Sequence, residues 1–169
     1  ASCSAFSIIY GIKIGMKPSE ASMLLSSLLF GTIFYTIFGF LCNYFNRRFL
    51  IILSAFCSLY LIYVINFYGD NDNIFTLFFL LFGAMSGMKL PTLVLINEKY
   101  KPTQRLIVNS AFTRVALIGT ICGLLTTGTL MKHFGHSGLW LSCSIILICF
   151  IIFWFLNYLY KITKNDFSY

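Results

Sequence analysis

The sequence predicts an all-α polytopic membrane protein with about six transmembrane helices. Of its 169 residues, 59% are hydrophobic and only 10% are charged, whereas soluble domains carry about 25% charged residues. Apolar stretches of around 20 residues recur along the chain, and each is long enough to cross about 30 Å of hydrocarbon as a helix. Membrane β-barrels instead use strands that alternate polar and apolar residues, a pattern that these uniformly apolar stretches lack.

The expected spans are separated by short polar loops. They cover residues 1–11, 20–42, 49–68, 74–96, 105–131 and 139–160. The chain begins inside an apolar run and without Met, so the first span is expected to be truncated and an upstream part to be missing. Ser19 and Glu20 favour a helix start after the polar loop 13–18.

Residue size divides the spans into two kinds. Spans two and five are rich in Gly, Ser and Thr, and span five also in Ala, which predicts tight packing against neighbouring helices. Spans three and six are bulky and apolar on all sides, as expected of lipid-facing helices. A small-residue span is thus followed by a bulky span twice along the chain, and Gly-Thr-Ile occurs at both 31–33 and 119–121. These two observations predict two inverted three-helix repeats.

Loop charges predict the orientation, because basic residues concentrate on the cytoplasmic side of a membrane. One set of loops carries Arg47, Arg48, Lys99, Lys101, Arg105, Lys161 and Lys164, and the opposite set carries Lys13, Lys17 and Lys132 with Asp70 and Asp72. We therefore expect a cytoplasmic C-terminus in a plasma membrane or bacterial inner membrane. Most of the basic residues behind the net charge of +7 flank membrane spans, so no nucleic-acid partner is expected.

Two cations inside predicted spans need an explanation, Lys89 and Arg114. They lie about 10 and 13 Å inside the cytoplasmic ends of their spans, where a charge costs at least about 2.5–3.5 kcal/mol on insertion scales. Either Lys89 extends to the headgroups and Arg114 bonds free carbonyls, or both line a cavity and bind an anionic group or an acid from a missing half. The interiors of the spans contain no carboxylate, which favours an outside partner.

Span four also contains Gly83, Gly87 and Pro91. Proline has no N–H to donate to the carbonyl one turn back, so Pro91 frees a carbonyl near Gly87. The three residues predict a bent or loosened helix.

The turn after span two reads Gly39-Phe-Leu-Cys-Asn43-Tyr-Phe-Asn-Arg47-Arg48. It resembles the G-x-x-x-D-x-x-x-R-R signature that the major facilitator superfamily carries at the cytoplasmic end of the second helix of each half, with Asn43 in place of Asp. Residues 97–131 add a similar resemblance: an N-E-x-x-x-P-x-x-R turn, then a helix with Gly119 and Gly123. The family's fifth helix often carries G-x-x-x-G-P, and here Leu124 stands at the Pro position.

The resemblance implies the C-terminal half of a twelve-helix fold, helices seven to twelve, and therefore a missing N-terminal half. It implies a secondary transporter whose halves rock about a central site, with span four lining the cavity. The expected partners are a small solute, which Lys89 and Arg114 favour as an anion, a coupling ion and the lipid bilayer. No cofactor is implied.

The same resemblance implies a cytoplasmic gate. Its expected members are Gly39, Asn43, Arg47, Arg48, Glu98 and Arg105. Glu98 is expected to pair with Arg47, Arg48 or Arg105 when that face is closed, or else to be a solvated loop glutamate. Asn43 offers only a neutral hydrogen bond where the family's Asp would make a charged contact.

One alternative to a transporter stays open. A non-transporting membrane interaction or sensor protein, derived from a transporter, fits the departures at Asn43 and Leu124. An enzyme is not expected, because the chain has neither paired carboxylates nor a nucleophile–base spacing. His133 and His136 lie three apart in a predicted external loop without a nearby carboxylate, so we expect no metal site there.

Overall fold

The structure, a computed structural model, describes residues 2–31, 33–68, 73–135 and 137–166. Its helices are α1 (Ser2–Lys13), α2 (Pro18–Gly31), α3 (Ile33–Tyr44), α4 (Arg47–Tyr68), α5 (Ile74–Lys99), α6 (Pro102–Phe134) and α7 (Ser137–Asp166). The described ranges contain no strand. The predicted all-helical class is therefore confirmed.

Among the described residues, four segments are long and apolar enough to cross a membrane: Arg47–Phe67, Ile74–Lys99, Pro102–Phe134 and Ser137–Asn157. They correspond to predicted spans three to six. The apolar helix α3 is shorter, and α2 and α3 together cover predicted span two on either side of residue 32, which lies outside the described residues. Six spans, and their arrangement as two inverted repeats, stay predictions.

The connection between α5 and α6 is shorter than the basic turn expected over 97–105. α5 continues to Lys99 and α6 begins at Pro102, so only Tyr100 and Lys101 separate them. Proline is favoured in the first turn of a helix, where its missing N–H would have no helical acceptor. The polar residues of this stretch thus mark helix ends rather than a loop, and Glu98 lies on α5.

α5 is central to the fold, since it packs against α2, α3 and α4 and also meets α6. Near its N-terminal end, the buried ring of Phe78 meets Trp140 of α7 edge-on, with ring centroids 5.5 Å apart. Tyr10 of α1 meets the same Trp140 at 4.9 Å, also edge-on. Edge-to-face pairs are favourable because the positive ring edge meets a negative face. This cluster joins α1, α5 and α7.

Two phenylalanines of α3 pack against two glycines of α5. A Cβ at Gly83 would lie 2.6 Å from the ring of Phe34, and a Cβ at Gly87 would overlap both the ring of Phe38 and the Ser54 hydroxyl of α4. The two phenylalanines are four residues apart, as are the two glycines, so each set lies on one face of its helix. The absence of a side chain at Gly87 therefore lets α3, α4 and α5 approach one another.

Within the described residues, the tight packing predicted for span five is present only in the C-terminal part of α6. Only 6% of its most apolar stretch is buried, compared with 28–39% of the corresponding stretches in the other three long helices. Its buried residues, Gly123, Thr127 and Met131, lie in the C-terminal half, where the hydroxyls of Thr127 and Ser142 of α7 are 2.6 Å apart. Small residues permit close packing, but the other described helices cover little of the N-terminal half of α6.

Replacing Gly87 with Ala should destabilise the fold, because the added methyl group would overlap the Phe38 ring. Overpacking of this kind costs about 1–3 kcal/mol. Gly119→Ala is the matched control: nothing lies within 4 Å of a Cβ there, so the same change should be neutral or stabilising by roughly 0.5–1 kcal/mol. Equilibrium unfolding in detergent micelles measures both. Equal effects of the two substitutions would contradict the packing described for Gly87.

Candidate functional site

Arg47 and Glu98 form an ion pair that joins the start of α4 to the end of α5. The Arg47 Nη1 donates to the Glu98 Oε2 at 2.6 Å, and both side chains are partly exposed. The start of α4 is fixed by Asn46, whose Oδ1 accepts a hydrogen bond from the Arg48 backbone N–H at 3.0 Å, as an N-cap does. The structure thus selects Arg47 from the three partners considered for Glu98.

Arg47 retains a free donor. Its Nε is buried and has no hydrogen-bond acceptor among the described residues. Arginine presents five N–H donors in a fixed fork, so one guanidinium can bind Glu98 and a second acceptor together. Arg48 and Asn43, also expected at the gate, are exposed on either side of this turn.

Arg105 and Glu98 are not joined in the structure. The Arg105 Nε donates instead to the Tyr100 carbonyl at 3.4 Å, which ties the first turn of α6 to the two-residue connection. At Gly39, an added Cβ would have the Leu90 side chain as its nearest neighbour, at 3.4 Å. A methyl group would make ordinary contact at that distance, so Gly39 does not enable a close backbone approach.

Lys89 is exposed and lies beside an aromatic ring of α3. Its Nζ is 5.9 Å from the centroid of the Tyr35 ring, within the range in which a cation is attracted to an aromatic face. With the described residues it forms no ion pair. In the sequence, Tyr35 is only one of several polar residues of span two. Its contact with Lys89 depends on how α3 and α5 cross, which no local pattern encodes.

Arg114 lies on the uncovered part of α6. It borders an open concavity of about 530 Å³ whose other lining residues are Leu106, Ile107, Ser110, Ala111 and Val115. Every one of these belongs to α6, so the described helices supply no opposite wall. Arg114 is exposed, and within the described part of the chain it has no carboxylate partner.

Both cations lie further from the ends of their helices than the predicted spans suggest. Lys89 lies ten residues before the end of α5 and Arg114 twelve residues after the start of α6, or about 15 and 18 Å along the helix axes. The shift arises because each helix extends beyond its predicted span on that side. The structure places Lys89 beside Tyr35 of α3 and Arg114 on the uncovered part of α6.

The residues expected at a hinge have different surroundings. Gly83, Gly87 and Pro91 are buried in α5, which remains helical through Pro91, and the Thr92 hydroxyl donates to the Met88 carbonyl at 2.6 Å. Gly123 is buried, whereas Gly119 faces open space. The bend at Pro91 stays a prediction.

Of the two histidines considered for a metal site, the structure describes one. His133 is exposed at the end of α6, and His136 lies outside the described residues. No group of three or more metal-ligating side chains occurs among the residues that the structure describes.

Comparison with known families identifies the fold to which these elements belong. The family model of the Major Facilitator Superfamily matches residues 1–166. Comparisons with curated proteins and with solved structures gave no match. The matched region includes the Arg47 turn, the central helix α5 and the open helix α6, so the chain belongs to the major facilitator superfamily, a family of membrane transporters and not of enzymes.

Proposed function

We propose that the chain is one six-helix half of a twelve-helix secondary transporter, which moves a small anionic solute by alternating access. The observation that carries the proposal is Arg114, a cation twelve residues inside a helix long enough to cross a membrane, with no carboxylate partner among the described residues. Its face of α6 is uncovered, which is where a second half and a central aqueous path belong in this family.

The surroundings of Arg114 support this role. The hydroxyls of Thr113 and Thr120 donate to the carbonyls of Asn109 and Ala116, each at 2.9 Å. These hydroxyls therefore need no further partner at membrane depth. Arg114 has no such hydrogen bond within its helix, and contact with lipid would cost at least about 2.5–3.5 kcal/mol. Water, a bound anion or an acid of the second half removes that cost.

Lys89 is the second proposed solute ligand. The Tyr35 ring beside it attracts the ammonium group but does not neutralise it. A carboxylate or phosphate group on the solute would complete the site through charge-assisted hydrogen bonds. Lys89 and Arg114 belong to neighbouring helices, α5 and α6, so one solute contacting both would couple the movements of these helices.

The ion pair of Arg47 with Glu98 is proposed to tune the cytoplasmic gate. The pair joins two helices of the same half, so it cannot by itself close a gap between halves. Its partly exposed position implies a stability contribution of only about 0–1 kcal/mol. The free Nε of Arg47 leaves a donor for an acceptor on the second half, and Asn43, Arg48 and Arg105 offer further hydrogen bonds at this face.

The basic residues near this face support a cytoplasmic assignment for the start of α4 and for the C-terminus. The membrane would then be a plasma membrane or a bacterial inner membrane. Among the described residues, the four segments long and apolar enough to cross a membrane contain one acid, Glu98, near the end of α5, so a coupling proton or other ion would bind in the second half.

Lys89→Gln and Arg114→Gln should each weaken anion uptake by the full-length protein in proteoliposomes. Loss of a charged hydrogen bond costs about 1.5–3 kcal/mol, roughly 10- to 150-fold in solute affinity. The assay uses a panel of monocarboxylates, dicarboxylates, sugar phosphates and neutral sugars.

Lys101→Gln removes an exposed cation outside the proposed site and should leave uptake unchanged, whereas Arg114→Lys should retain part of it. If neither glutamine variant alters the uptake of any transported anion, Lys89 and Arg114 are not the solute ligands. If the wild-type protein exchanges no solute in a counterflow assay, the alternative of a non-transporting sensor or interaction protein is supported instead.

Arg47→Gln and Glu98→Gln should act through one shared interaction. Each alone should alter the transport rate by up to about fivefold, the equivalent of 1 kcal/mol or less for an exposed pair. The double variant should be no worse than the stronger single variant, because the second change removes nothing further. Additive effects would show that the two residues act independently in transport.

A further inference from the structure

Two adjoining cavities follow the seam where α4 packs against α7. The larger has a volume of about 570 Å³, and the smaller, about 320 Å³, shares Phe56 with it. The larger lies within the range of about 300–1,000 Å³ that is typical of ligand sites. Together they form a groove, here called the α4–α7 groove, on the outer side of two helices that are long enough to cross a membrane.

The groove has a preformed floor and open walls. Its floor includes Ile62 of α4 and Trp140 of α7, whose side chains are almost fully buried. Its walls include Tyr60, Tyr63 and Ile148, which expose 67%, 53% and 44% of their surface. A ligand in the groove would therefore contact protein atoms on three sides. These contacts would replace those that it makes in the bulk membrane interior, and the dispersion attraction would increase.

Polar groups lie mainly at one end of the groove. Asn66 is two residues from the end of α4, and Ser137 is the first residue of α7. Beyond them, the walls are aliphatic and aromatic apart from Ser144 and the tyrosine hydroxyls, and the smaller cavity is lined by apolar residues alone. This arrangement matches a ligand with a polar head and a long apolar tail.

The length of the larger cavity also matches one membrane leaflet. Asn66 and Phe56 are ten residues apart on α4, which corresponds to about 15 Å along the helix. Half of a hydrocarbon core of about 30 Å is the same distance. A chain anchored at Asn66 and Ser137 would therefore run along the groove toward the middle of the membrane.

The side chains of the walls disfavour a second protein helix as the occupant. Helices that pack together in membranes meet through small residues such as Gly, Ala and Ser. The α4 wall is instead built from Phe56, Tyr60, Tyr63 and Phe67, whose rings hold another backbone at a distance. A flexible hydrocarbon chain fits between such rings.

We propose that the α4–α7 groove binds one acyl chain of a membrane phospholipid, with the ester region of the lipid hydrogen-bonded to Asn66 and Ser137. This inference depends on the membrane setting of α4 and α7 and not on the identity of any transported solute. It assigns to these helices a specific lipid site in place of a uniform contact with the bilayer.

The test uses the full-length protein in vesicles that contain a trace of phosphatidylcholine with a photoactivatable diazirine in its acyl chain. After illumination, mass spectrometry of peptides locates the adducts. Labelling should concentrate on 56–67 and 137–148 and exceed that at other exposed apolar residues, such as Met23 and Phe30 of α2. Labelling spread evenly over all exposed apolar surfaces would overturn the proposal.

Ile148→Trp and Ile145→Trp form a matched pair. Both isoleucines are on α7 and have similar exposure, 44% and 48%, but only Ile148 lines the groove. Ile148→Trp should lower labelling of the groove roughly tenfold, equivalent to about 1.4 kcal/mol of binding free energy, whereas Ile145→Trp should not. Equal losses in both variants would overturn the site.

Asn66→Leu tests the polar end. It should reduce labelling by the phospholipid but not by a diazirine-bearing alkane that has no headgroup, because only the phospholipid has an ester to bind. Equal labelling by the phospholipid in wild type and Asn66→Leu would refute the anchor. Protein–protein disulfides formed through Tyr63→Cys would instead identify the groove as a contact between two copies and contradict the proposal.

Discussion

The packing of Phe34 and Phe38 against Gly83 and Gly87 is the contact on which the rest of the arrangement depends. It sets the distance between α3 and α5, and at Gly87 it admits Ser54 of α4 to the same point. Because α4 and α5 are thereby held side by side, Arg47 at the start of one reaches Glu98 near the end of the other, 51 residues later in the chain. Any larger side chain at Gly87 would separate three helices at once.

In contrast to these packed helices, most of α6 is not covered by the other described helices. Its C-terminal half is held to α7, while its N-terminal half exposes Arg114 along a concavity with no opposite wall among the described residues. Lys89 on α5 is held near Tyr35. The fold thus offers exposed cations on α5 and α6 and an apolar groove between α4 and α7. A membrane transporter needs both kinds of surface, one toward its solute and one toward lipid.

The sequence predicts well what depends on local composition. Long apolar runs bounded by charges predict the long helices. It fails where the outcome depends on tertiary neighbours. Small residues suggested that α6 packs tightly, yet packing needs a second surface that the described helices do not supply. Likewise, three arginines were equally suitable partners for Glu98, and only the placement of α4 beside α5 selects Arg47. The contact of Lys89 with Tyr35 cannot be predicted from the sequence for the same reason.

The central claim is that Arg114 faces an aqueous path and not lipid. The direct measurement is the reaction of an Arg114→Cys variant with a charged, membrane-impermeant thiosulfonate, in full-length protein whose six native cysteines in this chain are replaced by serine. Thiols react as thiolates, which form in water and not in hydrocarbon. We predict rapid modification at position 114, slowed by a transported solute, and none at a Phe153→Cys control on the exposed apolar face of α7. Equal protection of both positions from the reagent would contradict the account.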